Sequence, residues 1–179
     1  VALTATIYNF DIDLADTDRG VYETLALRVA RHPSESEEFL VTRVLAFCLE
    51  YTEGLEFSTG LSTPDEPAMR VRDMTGAWRA WIEVGTPDAD RLHRAAKLAP
   101  RVAVYVHKDP TQYAARLAGA RVHRAGEMEI WAMDRRLIEE LRARLDRRMN
   151  MSVSISDHEL LVSIGSETFS GALSRVPLG

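Results

Sequence analysis

Apolar and polar residues alternate from Thr4 to Asp16, where Ala5, Ile7, Phe10, Ile12 and Leu14 stand among polar partners. A two-residue period rich in β-branched and aromatic residues predicts a long strand. The DTDRG cluster at 16–20 predicts a turn, and GVYETLALRVARHP resumes the alternation as the return strand of a hairpin. Over residues 34–53 the period lengthens, with Leu40, Val44 and Phe47 or Cys48 at helical spacing beside Val41, Leu45 and Leu49. Pro33 followed by Ser34-x-x-Glu37 predicts a capping box at the helix start, and Gly54 supplies a residue tolerant of positive φ at its end.

Downstream, LEFSTGLSTPDEP reads as a short apolar piece and a loop, and MRVRDMTGAWRAWIEVG as two strands around a turn at Asp73–Gly76. Thr86-Pro87-Asp88 predicts a helix start with a capping hydroxyl and Pro at the first helical position, and Pro100 stops that helix. RVAVYVH predicts a buried strand, PTQYAARLAGA a short helix, VHRAGEMEIWAM a further strand, and the Arg-rich stretch 134–149 a last helix. MSVSI and LLVSI around Ser156–Glu159 predict a terminal hairpin. Strands and helices in this mixed order predict an α/β or α+β domain, a compact mixed β-sheet flanked by helices. No linker or repeat interrupts the pattern, so a single domain over residues 1–179 is expected.

Charge narrows the partners. Against 27 acids stand 22 bases, a net −5, so overall charge draws the chain neither to nucleic acid nor to an anionic membrane. A nucleic-acid partner would have to use a local patch, no membrane association is expected, and the sequence identifies no protein partner. Cys48 is the one cysteine, which excludes an intrachain disulfide and a thiolate zinc site and fits a reducing compartment; the cytoplasm is the expected location. The N-terminal segment carries acids where a signal peptide carries bases, and no signal peptide is expected.

Glycine-rich phosphate loops, HExxH, GxSxG and CxxC are absent from the sequence. His32, His93, His107, His123 and His158 stand singly on different elements and carry no assigned role, and Cys48 lies on an apolar helix stripe as a small hydrophobe. Carboxylates are more informative. Ser34 and Glu37 account for each other as a capping box, and Glu35 complements the helix dipole, whereas Glu38 sits at the edge of the buried stripe, where an acid needs a cation or a metal. Glu83 shares a strand face with Arg79, Trp81 and Gly85. With Met74 and Thr75 as central turn residues, Glu66 falls opposite Glu83 and Ala68 opposite Trp81; a one-residue slip brings Asp65 there instead. Like charges so close need something positive between them. In the Arg-rich stretch, Glu139–Arg142 and Glu140–Arg144 pair at helical spacing and predict a solvated face, while Trp78, Trp81 and Trp131 are read as core or interface residues.

The segments ATIY, RHPSExxE opening a helix that ends LAF, LEFxxGLSTxDEP, WIExGxPDxxRL and VxVY follow one another from residue 2 to about residue 106. In that order they resemble the YaeQ family of small bacterial proteins. The resemblance implies a fold similar to the PD-(D/E)XK nucleases, whose mixed sheet holds a helix glutamate, an aspartate and a Glu-x-Lys around Mg²⁺ or Mn²⁺. There the metal polarises a phosphodiester and lowers the pKa of attacking water, and the lysine orients it.

Carried onto this chain, the helix acid is Glu38 or Glu35 and the strand acid Glu83. Pro-Asp falls on Pro67–Ala68, which has no carboxylate, and Glu-x-Lys reads Glu83-Val84-Gly85. Glu66 could replace the missing acid as a metal ligand with Glu83, Lys97 could serve as a displaced lysine, and Arg94 or Arg79 could anchor phosphate. The resemblance therefore implies a degenerate site, with weak activity or a non-catalytic binding role. The alternative is a Mg²⁺-dependent nuclease or phosphodiesterase using Glu38, Glu66, Glu83 and Lys97. In the non-catalytic reading Glu38, Glu83 and an arginine such as Arg79 form a paired polar cluster.

Overall fold

The alternating N-terminal segment forms β1 (Thr6–Asp16), and its return strand forms β2 (Val21–Arg31), paired antiparallel without interruption from Thr6 opposite Arg31 to Asp16 opposite Val21. A computed structural model provides the coordinates and describes residues 4–58 and 65–178. The GLST stretch of the family motif, with Thr59 and Pro64 beside it, lies outside the described residues. The chain divides into two compact units, one from Val1–Leu49 with Met133–Leu173, the other from Glu50–Ala132 with Ser174–Gly179.

In the first unit a mixed five-stranded sheet runs β10-β9-β8-β1-β2, with β8 (Arg148–Ser156), β9 (Glu159–Ile164) and β10 (Glu167–Ala172) contributed by the C-terminal part of the chain. β8 lies parallel to β1 and antiparallel to β9, and its strict alternation of buried and exposed residues puts Met149, Met151, Val153 and Ile155 on the inner face. Two helices cover that face: α1 (Glu37–Glu50) and α4 (Arg135–Arg142), whose Val41, Val44, Leu45 and Leu141 meet Phe10, Met149 and Met151. Cys48 is fully buried on α1, and burial pushes its thiol up to about 12. The β8–β9 turn uses Asp157 and His158, both at positive φ, 51° and 58°. Their N–H groups donate to the Asp18 carboxylate at 2.6 and 3.0 Å, which supports a backbone shape usually left to Gly or Asn. Those two N–H bonds hold Asp18 below the usual carboxylate range.

The second unit holds a mixed six-stranded sheet in the order β11-β7-β6-β5-β4-β3. It comprises β3 (Leu55–Phe57), β4 (Met69–Arg72), β5 (Trp78–Val84), β6 (Val102–Val106), β7 (Glu129–Ala132) and β11 (Ser174–Arg175). β5, β6 and β7 run parallel, joined through α2 (Ala89–Leu98) and α3 (Pro110–Ala118), and the unbroken apolar run of β6 is buried throughout, as a central parallel strand requires. Its core gathers Trp81, Leu92, Ala95, Val104, Tyr113 and Ile130. Arg124, at positive φ in the loop after α3, reaches back to the carboxyl end of α2 and donates to the carbonyls of Ala96 and Ala99 at 2.6 and 2.8 Å. Those carbonyls have no partner within the helix.

The α+β class holds, with mixed sheets flanked by four helices, and the strands divide between two sheets rather than one. Local boundaries need correction. α1 is capped by Ser36, whose side chain accepts the Phe39 N–H at 3.1 Å, and not by Ser34, whose hydroxyl meets the His32 ring. α2 is capped by Asp88 rather than Thr86, because the aspartate lies one residue before the helix and accepts the Arg91 N–H at 2.8 Å. The stretch 134–149 is helical only over Arg135–Arg142, and its last residues are already strand β8.

Candidate functional site

Glu83 is the penultimate residue of β5, 3% exposed between buried Ile82 and Val84, so its charge must be met inside the protein. The chain turns at Gly85, where φ is +95°, and re-enters as α2. Asp88 fixes the first turn of that helix by accepting the Arg91 N–H, and Arg91 reaches back over the turn to Glu83. Its guanidinium donates through Nε to one carboxylate oxygen, through Nη2 to the other at 3.2 Å, and through Nη2 to the Glu66 carbonyl. Burial opposes the charge on Arg91, but the bond to Glu83, reinforced by Asp88 and Asp65, raises its pKa above the ordinary value. Tyr113 on α3 donates its hydroxyl to the Pro87 carbonyl at 2.6 Å; burial, and then the negative charge of Glu83, pushes that hydroxyl up. The result is a bidentate ion pair with both carboxylate oxygens engaged by one cation, an arrangement that orients and neutralises rather than one that abstracts a proton.

The acids expected beside Glu83 are placed differently. β4 and β5 pair Met69 with Ile82 and Arg70 with Trp81, and continuing that register one step sets Ala68, not Glu66, beside Glu83. The shift arises because the loop closes between Asp73 and Ala77, held by the Asp73 side chain accepting the Thr75 and Ala77 N–H groups, with a bulge between Val71 and Arg72. Glu66 contributes its backbone carbonyl to Arg91 and directs its carboxylate toward Arg70 at 3.7 Å, while Asp65 is exposed.

The expected cations are displaced too. Lys97 and Arg94 are exposed on α2, and Arg79, 65% exposed, pairs with Asp73 at 3.4 Å. Arg91, one turn before Arg94, takes the place given to them. In the first unit Glu38 is about one-third exposed and pairs with Arg142 at 3.3 Å. Its neighbour Glu35 is the buried acid, 5% exposed, and accepts Arg43 Nε and Nη2 at 2.8 and 3.0 Å. Burial raises Glu35 despite Arg43, and burial lowers Arg43 despite Glu35, so desolvation outweighs attraction in this pair. Of the two pairs predicted near α4, Glu139–Arg142 forms at 2.6 Å, whereas Glu140 is taken by Arg136 and Arg144 turns to Glu167.

A hard divalent cation asks for several carboxylate, carbonyl or water oxygens converging on one point. Ala68 offers no donor beside Glu83, both Glu83 oxygens are held by Arg91, and among the described residues no group of three or more His, Cys, Asp and Glu could hold a metal ion. The donors around Glu83 do not fit Mg²⁺ or Mn²⁺.

A second polar centre of the same unit gave no signal in the sequence. Arg101 donates to Glu50 at 2.7 and 2.9 Å and to Glu129 at 2.6 and 3.0 Å, and Tyr105 donates its hydroxyl to Glu50. Burial pushes the Tyr105 hydroxyl far up, as does the charge of Glu50. Although burial works against the charge of Glu129, the bonds from Arg101 hold it below the usual carboxylate range. The hydrogen-bonded partners are 28 to 55 positions apart along the chain, and no local spacing announces them.

The family profile described as YaeQ protein matches residues 1–172. "Uncharacterized protein YaeQ" of Salmonella typhi is 32% identical over 164 residues, and that of Escherichia coli (strain K12) 31%; each match covers 91% of this chain and 91% of the relative. The crystal structure of the YaeQ protein from Xanthomonas axonopodis pv. citri superposes with a TM-score of 0.89 at 31% identity, covering 98% of this chain and all of that one. The YaeQ structure from Pseudomonas syringae gives 0.87 at 31% identity, covering 96% of each chain. No helix among the described residues is long and apolar enough to cross a membrane.

Proposed function

For a chain that belongs to the YaeQ family, we propose a binding role without turnover, on a frame related to the PD-(D/E)XK nucleases. The carrying observation is the Glu83–Arg91 pair: the strand acid that would hold a cation is already neutralised by a guanidinium built into the same unit. A metal-dependent nuclease needs that carboxylate open, and needs a second acid and a lysine near it. Ala68 and Gly85 stand where those groups are expected, and Lys97 is turned to solvent. Without a Lewis acid, a phosphodiester at this position gains neither polarisation nor an activated water.

Calorimetric titration of the full chain with Mg²⁺ and Mn²⁺ is expected to give no saturable heat. Single- and double-stranded DNA and RNA should be left intact with metal or with EDTA, and retention of any of these probes should be indifferent to EDTA and to Glu83→Gln. Metal-dependent cleavage lost in both Glu83→Gln and Lys97→Ala would overturn this reading in favour of a nuclease using Glu38, Glu66, Glu83 and Lys97.

A further inference from the structure

β2 is an edge strand of the five-stranded sheet, and the direction of its backbone groups follows from its neighbours. Asn9 and Thr17 donate their N–H groups to Arg147 and Ile155, so odd-numbered residues of β1 turn toward β8 and even-numbered ones toward β2. Phe10 pairs with Leu27 and Ile12 with Leu25, so odd-numbered residues of β2 bond to β1. The N–H and C=O groups of Tyr22, Thr24, Ala26, Arg28 and Ala30 therefore face the open edge. The far end of that edge is occupied from within the chain. Ala30 accepts Arg43 at 2.9 Å, and His32 exchanges bonds with the Glu35 backbone and carboxylate. Among the described residues nothing bonds the outward backbone groups of Tyr22, Thr24, Ala26 and Arg28, and all four residues are exposed, Tyr22 by 64%.

We propose that this edge pairs antiparallel with the same edge of a second copy of the chain, about a two-fold axis through Leu25, joining two five-stranded sheets into one. The open groups set the register. Tyr22, Thr24, Ala26 and Arg28 lie symmetrically about Leu25, so that Tyr22 meets Arg28 of the second copy and Thr24 meets Ala26. Each such pair exchanges two backbone bonds, about eight in all. On one face each Tyr22 ring lies across from an Arg28 guanidinium, a favourable cation–aromatic pairing made twice. On the other face Leu25 lies at the axis with Val21 opposite Val29 and Glu23 opposite Leu27; Leu25 and Val29 are already buried within each chain, so the backbone bonds and the Tyr22–Arg28 pairs carry the contact. Sliding the register two residues one way would set Tyr22 against Ala30, whose carbonyl Arg43 already holds; sliding it the other way would run pairing into the turn at Gly20. Val21–Arg31 is long for an edge strand and contains no proline, lysine or bulge, its charges being Glu23, Arg28 and Arg31. An isologous contact of this kind closes as a dimer.

Sedimentation equilibrium of the full chain from micromolar to millimolar concentration is expected to show the mass rising from 20.1 kDa toward about 40 kDa. Ala26→Pro removes an outward N–H that the monomer does not use, and should weaken association at least about tenfold while the circular dichroism spectrum is kept. Should that variant fail to fold, register is read independently. A mixture of Tyr22→Cys and Arg28→Cys chains should cross-link on oxidation, and neither should do so alone. A monomer at every concentration, association unchanged in a folded Ala26→Pro, or absence of the mixed cross-link overturns the proposal. So does a chain that stays monomeric while this edge takes up an extended peptide.

Discussion

Arg91 and Arg43 show what one guanidinium does when the acid it faces is buried. Truncating Arg91 leaves the 5%-exposed side chain of Glu83 as an unpaired interior charge, and Arg91→Met is expected to cost about 3–5 kcal/mol in chemical denaturation. Glu83→Gln, which leaves an arginine whose side chain is 23% exposed and already in reach of water, should cost less. The Glu35–Arg43 pair should behave differently, because burial outweighs attraction for both partners. Arg43→Met alone should destabilise by about 3–5 kcal/mol, whereas the double replacement Glu35→Leu with Arg43→Met should recover most of that loss. Titration separates Glu35 from Glu129. Glu35 has a raised folded pKa, so its stabilisation is complete below the ordinary carboxylate value and is lost as pH rises through the raised one. Glu129 has a lowered folded pKa, so its stabilisation is present above the ordinary value and is lost as pH falls through the lowered one. Urea midpoints measured from about pH 3 to pH 7 should therefore diverge in opposite senses for Glu35→Gln and Glu129→Gln, and parallel profiles would refute the assignment.

At the scale of elements, period and punctuation in the sequence located the four helices and most of the strands, because each lies in a segment whose apolar spacing matches its own geometry; β10 and β11 were not anticipated, since ETFSGA holds one large apolar residue, Phe169, and β11 is two residues long. The remaining departures were set largely by single side chains. Ser36 rather than Ser34 caps α1 because the chain makes one more turn after His32, and Glu35 is drawn inward to Arg43 during that turn. Asp73 holds a longer loop than a two-residue hairpin, and that loop and the bulge between Val71 and Arg72 each shift the register by one residue, which moves Glu66 away from Glu83 and sets Ala68 there. Glu83 itself was legible as an acid on an apolar strand. Its partner was not, since three basic residues, Arg91, Arg94 and Lys97, recur along α2 at three-residue spacing and only tertiary placement selects the first. Asp88→Ala should cost about 1 kcal/mol by removing the α2 cap. Gly171→Ala should cost about 1–3 kcal/mol, because a Cβ there would stand 2.7 Å from the Asp134 Cβ and 2.9 Å from the Leu137 Cβ where β10 crosses α4.

On the scale of the whole molecule, each unit is assembled from pieces distant in sequence: the Thr17 hydroxyl donates to the Ile155 carbonyl 138 residues away, and β8 is the parallel neighbour of β1. A chain ended at Ala132 would lack β8, β9, β10 and α4, and hydrogen exchange should show the amides of β1 and β2 losing the protection they have in the full chain. Pairings this remote also place folding toward the slow end for domains of this size. The buried Cys48 turns this into something directly measurable. A thiol held near 12 and shielded on α1 does not meet a water-borne disulfide reagent in the native protein. Its labelling rate therefore counts openings of the first unit, a clock that needs neither denaturant nor an attached dye. The same shielding makes the folded chain behave toward thiol reagents as though it had no cysteine, so a single one introduced on the surface takes a probe at that site alone.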